Sequence, residues 1–98
     1  MAAKSIVWSG RANSELQEIF NYYNKRNRST VYSYKLLEKT ELLLRTLSQN
    51  EFIGRPTTNG KIRVIPLDAY LIFYETFENS IHVLSFWDNR QAVENRLF

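Results

Sequence analysis

Lys61 and Arg63 are two basic residues separated by two positions in the segment Lys61–Leu67 (KIRVIPL). Side chains of an extended strand alternate between its faces, so these two project from the same one. Arg55 lies in the preceding loop, and Arg90 follows the last long apolar stretch, Ile81–Trp87. If the strands that carry them are neighbours, Arg55, Lys61, Arg63 and Arg90 converge on one rim of a sheet, with Tyr70 and Tyr74 lining the same surface. Arginine and lysine grip phosphates through charge-assisted hydrogen bonds, and tyrosine stacks on bases or moves a proton. Such a set has the parts for RNA cleavage without metal, in which a 2′-hydroxyl attacks the adjacent phosphate while cations stabilise the charged transition state. The plainer alternative is that basic side chains on strand edges discourage aggregation.

Other chemistry is weakly represented. The chain has no cysteine and one histidine, His82, so a thiolate site is excluded and a histidine-based zinc site is not expected. His82 has no cysteine or serine dyad partner near it in sequence and reads as a structural residue. Asp68, Glu75, Glu78 and Asp88 are scattered over turns and strand ends and declare no paired-carboxylate site. The expectation is therefore no metal and no cofactor.

The elements that must position these residues follow from periodicity. Ile6-Val7-Trp8 is a short strand-forming segment, after which Ser9 or Asn13 serves as a helix cap. Ala12, Leu16, Ile19, Phe20 and Tyr23 then recur at spacings of three and four, which predicts an amphipathic helix. The polar run Asn24–Ser29 ends it, Thr30 is the expected cap of a second helix, and Leu36, Leu37, Leu43, Leu44 and Leu47 form that helix's stripe. So short a connection implies an antiparallel helical hairpin. After the irregular stretch Ser48–Gly60 the period changes to two. Lys61–Leu67, Tyr70–Thr76 and Ile81–Trp87 read as three strands joined by tight turns, followed by a short polar tail. The order β-α-α-β-β-β predicts an α+β fold, with the hairpin on one face of a mostly antiparallel four-stranded sheet. Tyr70, Ile72 and Tyr74 point to one face, Leu71 and Phe73 to the other. The second face must be covered by the tail, by a partner, or be an exposed functional surface, and with little chain left to cover it a binding surface is the expectation.

Composition agrees with a single domain spanning residues 1–98. The chain is 44% hydrophobic and 23% charged, within the globular range. No run approaches the roughly 20 apolar residues of a membrane span. The opening MAAKSIVWSG is interrupted by Lys4, Ser5, Ser9 and Gly10 and lacks the apolar core of a signal peptide, so a cytoplasmic protein is expected. The net charge of +3 is unevenly placed. Its excess sits in Lys25, Arg26, Arg28, Lys35, Lys39 and Arg45, a basic surface suited to nucleic acid or an acidic protein, or simply to solvation.

The ordered set W-x3-A, G-R-P, R-V-I-P-L, Y-L-I-F-Y and V-L-S-F-W-D-N-R-Q resembles the RelE/ParE superfamily of type II toxins over almost the whole chain. The resemblance implies a bacterial toxin that arrests growth and a cognate antitoxin that wraps and neutralises it. It also implies contact with operator DNA only through that antitoxin. Tyr70, Ile72, Phe86 and Trp87 are the expected antitoxin-contacting residues. The implied mechanism divides. RelE-like members cleave mRNA on the ribosome, ParE-like members poison DNA gyrase, and a degenerate toxin would keep only its antitoxin-binding and co-repressor role. On the nuclease branch, Arg63, Tyr74 and Arg90 are the expected catalytic residues, and Arg55, Lys61, Arg63 and Arg90 the expected RNA phosphate contacts. The sequence departs from that branch at two places. Leu71 stands where RelE-like members carry an arginine, and no tyrosine follows Tyr74. Tyr-Leu-Ile-Phe-Tyr is nearer the ParE-like pattern.

Overall fold

The structure, a computed structural model, describes residues 3–91 and Arg96. The polar tail expected after the last strand otherwise lies outside the described residues. The elements are β1 (Ser5–Trp8), α1 (Gly10–Asn27), α2 (Val31–Gln49), β2 (Arg55–Pro56), β3 (Ile62–Leu67), β4 (Tyr70–Thr76) and β5 (Ser80–Asp88). The sheet has five strands in the order β1-β5-β4-β3-β2, one more than the sequence predicts. The extra strand is β2, two residues that pair antiparallel with Val64 and Arg63 at the sheet edge. A two-residue strand carries no periodicity, and Pro56 lacks a backbone donor, which confines it to an edge. β1 runs parallel to β5, and the remaining pairs are antiparallel.

Each helix starts and stops for a local reason. The Ser9 side chain accepts a hydrogen bond from the Ala12 N–H at 3.0 Å, capping α1 as expected. At the start of α2 the expected cap is displaced by one residue: Thr30 makes no side-chain cap bond, and Ser29 Oγ accepts from the Val31 N–H instead. Between the helices Arg28 adopts a left-handed conformation (φ 48°), and the Arg28 and Ser29 N–H groups close on the Lys25 and Asn24 carbonyls. Glycine is the usual occupant of this position, and a residue with a Cβ pays about 1–2 kcal/mol there.

Both faces of the sheet are buried, and they bury different things. The helix-facing core joins Ala12, Leu16, Leu36, Leu44 and Leu47 to Ile65, Tyr70, Ile72, Tyr74, Ile81, Val83 and Phe86. On the opposite face Ile62, Val64, Phe73 and Trp87 form a second, smaller core with Leu71 and Leu84 packed against it. The guanidinium of Arg96 lies over the Phe73 ring, 5.4 Å from its centroid. The expected open apolar surface is thus a covered one: Phe73 and Trp87 are only 2% and 3% exposed. Along β4 and β5 the register shifts at Phe73/Tyr74, where Leu84 is the extra residue of a bulge. Glu15 of α1 locks this irregular point. Its carboxylate accepts from Ser85 Oγ at 2.8 Å and from the Phe86 N–H at 3.1 Å. No helix among the described residues is long and apolar enough to cross a membrane.

Candidate functional site

The expected cationic residues fall into three places rather than one. Arg90 follows β5 at the end of the sheet where Asp88 pairs with Tyr70 and Tyr70 with Leu67. Arg63 pairs with Tyr74, four residues further along β4, a separation of about 13 Å along the strand before the step across to β3. Lys61 precedes β3, exposed, and further still from Arg90. Arg55 pairs with Val64, whose side chain belongs to the second face, and it helps line a shallow cavity there with Val64, Leu71, Phe73 and Arg96. The antiparallel register therefore separates Arg90 from Arg63 and Lys61, while the sheet itself separates Arg55 from both groups.

Arg63 and Tyr74 are joined, but around a loop rather than around a cleft. The Arg63 guanidinium donates to the Gly54 carbonyl and sits 4.9 Å from the centroid of the Phe52 ring. Tyr74 is fully buried. Its hydroxyl accepts from the Gly54 N–H at 3.0 Å and donates to the Glu51 carbonyl at 2.8 Å. Burial pushes the Tyr74 phenol up, only partly offset by the Gly54 N–H and the nearby Arg63 charge. Together the two side chains pin residues 51–54 against the sheet.

Arg90 is held by a denser arrangement. Its Nε and Nη2 donate to the two Asp88 carboxylate oxygens at 2.9 and 2.7 Å, and Nη2 also donates to Tyr23 Oη at 3.0 Å. The Arg90 N–H adds a third bond to Asp88. Behind this pair stand three tyrosines. The Tyr23 and Tyr32 rings pack at 4.1 Å, the Tyr32 and Tyr70 hydroxyls share a hydrogen bond at 2.7 Å, and Arg90 lies 5.9 Å from the Tyr70 ring centroid. Burial, then the Tyr32 hydroxyl, pushes the Tyr70 phenol well above its ordinary range. In front of the pair opens a groove of about 590 Å³ between α1 and the end of β5, bordered by Arg11, Glu18, Tyr22, Arg26 and Arg90. Asp88 and Tyr23 were not foreseen as partners of Arg90. The first is a two-residue neighbour whose bidentate geometry depends on the turn, and the second is 67 residues away in sequence.

Hydrogen bonds from Arg90 hold the Asp88 carboxyl below the usual carboxylate range. A depressed carboxyl pKa contributes stability that is present above the unfolded value of about 3.9 and is lost as pH falls through the folded one. Asp88→Asn should therefore flatten the acid limb of the stability curve below about pH 4 while leaving the neutral limb's shape alone, as measured by urea titrations across pH. An unchanged acid limb would show that the pair carries no such linkage.

The four residues expected to meet an antitoxin are placed differently from that expectation. Tyr70, Ile72 and Phe86 are 1%, 0% and 1% exposed under the helical hairpin, and Trp87 is in the second core. Their aromatic and branched side chains are taken up largely by the two faces of the sheet, while Phe86 and Trp87 also border the groove beside Arg90.

The family comparison covers most of the chain: the profile of the ParE toxin of type II toxin–antitoxin systems (parDE) matches residues 6–93. The chain belongs to this ParE toxin family. A toxin of such a system is one half of a pair, the other half being its antitoxin. Among solved structures, this ParE-family chain is similar to one from the chromosomal ParDE system of P. aeruginosa, with a TM-score of 0.73 and 19% identity over 88% of this chain and 96% of that one. It is also similar to a chain of the YoeB dimer from Staphylococcus aureus, with a TM-score of 0.57 and 20% identity over 88% of this chain and 97% of that one. At these identities the two structures speak for the fold alone. No curated protein matches the sequence.

Proposed function

We propose that this ParE-family toxin arrests growth without catalysis, by binding DNA gyrase, and that its antitoxin relieves the arrest by occupying it. The observation that carries this reading is the state of the three residues a nuclease would need. Arg63 is spent on the Gly54 carbonyl, Tyr74 is buried between two backbone groups, and Arg90 is neutralised by a bidentate carboxylate. Attack by a 2′-hydroxyl needs a base poised near neutral pH and cations aimed at the developing phosphorane charge. A buried phenol whose pKa is raised favours its neutral form and serves neither purpose at pH 7. Leu71, in the place of the RelE-like arginine, packs against the second core and adds no charge. A gyrase poison asks only for a rigid surface, which the doubly buried sheet and the capped hairpin supply. Gyrase as the target places the action in the cytoplasm.

The test is a translating extract programmed with a defined mRNA, its ends mapped with and without toxin. The expected result is no toxin-dependent cleavage, with wild type, Arg63→Ala and Arg90→Ala indistinguishable. New ends at ribosome-occupied codons, lost in either variant, would overturn the reading in favour of an mRNA interferase.

A further inference from the structure

The turn between the helices has a charge pattern that the sheet residues do not share. From Ile19 to Leu37 the chain contains no aspartate or glutamate but carries Lys25, Arg26, Arg28 and Lys35. All four are exposed, and among the described residues none is in an ion pair. Elsewhere four cations are matched, Lys4 with Glu51, Arg11 with Glu15, Lys39 with Asp68 and Arg90 with Asp88. Arg45, Arg55, Lys61 and Arg63 are single residues in no ion pair among the described residues, spread over α2 and the sheet edge rather than clustered.

Helix electrostatics account for only part of this cluster. Lys25 and Arg26 lie in the last turn of α1, where a cation complements the negative end of the helix dipole. Arg28 lies past that end, in a left-handed conformation that glycine or asparagine would adopt at lower cost. Lys35 stands just past the first turn of α2, beyond the reach of the helix dipole, and no acidic residue occupies that first turn to answer its charge. Arg28 thus sits where the backbone disfavours it, and Lys35 gains nothing from its helix. Strained, uncompensated positions of this kind concentrate where an outside ligand supplies the missing interaction. Tyr22 and Tyr34 flank the cluster, 56% and 64% exposed, and tyrosine hydroxyls also donate to phosphate oxygens.

We infer that the apex of the helical hairpin, Lys25, Arg26, Arg28 and Lys35, is a docking site for the phosphate backbone of duplex DNA. Four cations in no ion pair among the described residues, the Arg26 side chain bonded only to the Tyr22 hydroxyl, and with no carboxylate among them match a polyanion of regular charge spacing. Contacts to phosphate carry no base information, so binding is independent of DNA sequence. The choice of duplex DNA over RNA rests on the gyrase reading, which sets the toxin against a DNA-bound enzyme. Counterion release ties such binding to salt, with a slope in log K against log salt of about −0.9 per phosphate neutralised, hence about −3 to −4 for the intact apex.

The experiment is fluorescence anisotropy of the full-length toxin with a short labelled duplex of arbitrary sequence, titrated between about 50 and 200 mM salt. The combined variant Lys25→Gln, Arg28→Asn, Lys35→Gln, in which asparagine suits the left-handed position, should lose about tenfold or more in affinity and about 2 to 3 units of slope. Lys25→Arg with Lys35→Arg should retain binding, and Lys39→Gln with Arg45→Gln should change it less than about twofold. Circular dichroism establishes that each variant is folded. Wild-type affinity in the apex variant, no duplex binding by wild type at low salt, or tighter binding to single-stranded RNA or polyglutamate than to duplex would each overturn the inference. Gyrase is absent from this assay, so loss of the gyrase reading and loss of the DNA site are seen separately.

Discussion

Gly54→Ala is expected to destabilise the fold by about 2–3 kcal/mol, the upper range for overpacking a well-filled site. A Cβ at Gly54 would lie 2.5 Å from Tyr74 Oη and 2.8 Å from the edge of the same ring. Tyr74 cannot yield, because it is buried and its hydroxyl is bonded to both Gly54 and Glu51. Tyr74→Phe removes the hydroxyl and leaves a buried N–H and a carbonyl unpaired, at about 1–3 kcal/mol. The double variant should cost less than the sum, because loss of the hydroxyl removes the atom closest to the added methyl. In a chain of this size the single Gly54→Ala change corresponds to a fall in melting temperature of roughly 10–20 °C. Urea or thermal denaturation measures all three, and a Gly54→Ala cost below about 0.5 kcal/mol, the range of a neutral surface change, would contradict the packing described.

The second large effect lies at alkaline pH. Tyr70 and Tyr74 are two of six tyrosines, and burial is the first cause that raises both phenols. Where the folded pKa exceeds the unfolded value of about 10, the stability it contributes is complete below pH 10 and is lost as pH rises further. The protein should therefore unfold in the alkaline range, with the phenolate absorbance of these two residues appearing together with the loss of ellipticity. Difference titrations against Tyr70→Phe and Tyr74→Phe isolate each ionisation. Ionisation of either phenol in a chain that keeps its full ellipticity would contradict this burial.

Much of the architecture was legible in the sequence because it depends on period. Leu16, Leu36, Leu44 and Leu47 are buried as their spacing requires, and the alternation of Tyr70–Thr76 separates the two cores correctly. The site was less legible, since its geometry depends on register and on contacts far apart in sequence. Spacing told that Lys61 and Arg63 share a face, but not that Arg63 would lie opposite Tyr74 while Arg90 lies beside Tyr70. The bulge at Leu84 and its lock by Glu15 have no local signature, because the glutamate is 70 residues from Ser85. For the second face an exposed surface is the preferred expectation over cover by the tail because so little chain remains, yet Arg96 lies across Phe73. Arg90 keeps its position at the rim, but its charge is already answered by Asp88.

That last point supports the proposed reading of the toxin as a binder rather than a catalyst, and purified gyrase tests that proposal most directly. With supercoiled plasmid, ATP and gyrase, added toxin should convert DNA to linear, gyrase-linked product after denaturation, in proportion to toxin. Stoichiometric antitoxin should abolish that product. Unchanged supercoiling with no trapped cleavage complex, at toxin concentrations that stop growth when expressed, would contradict the account.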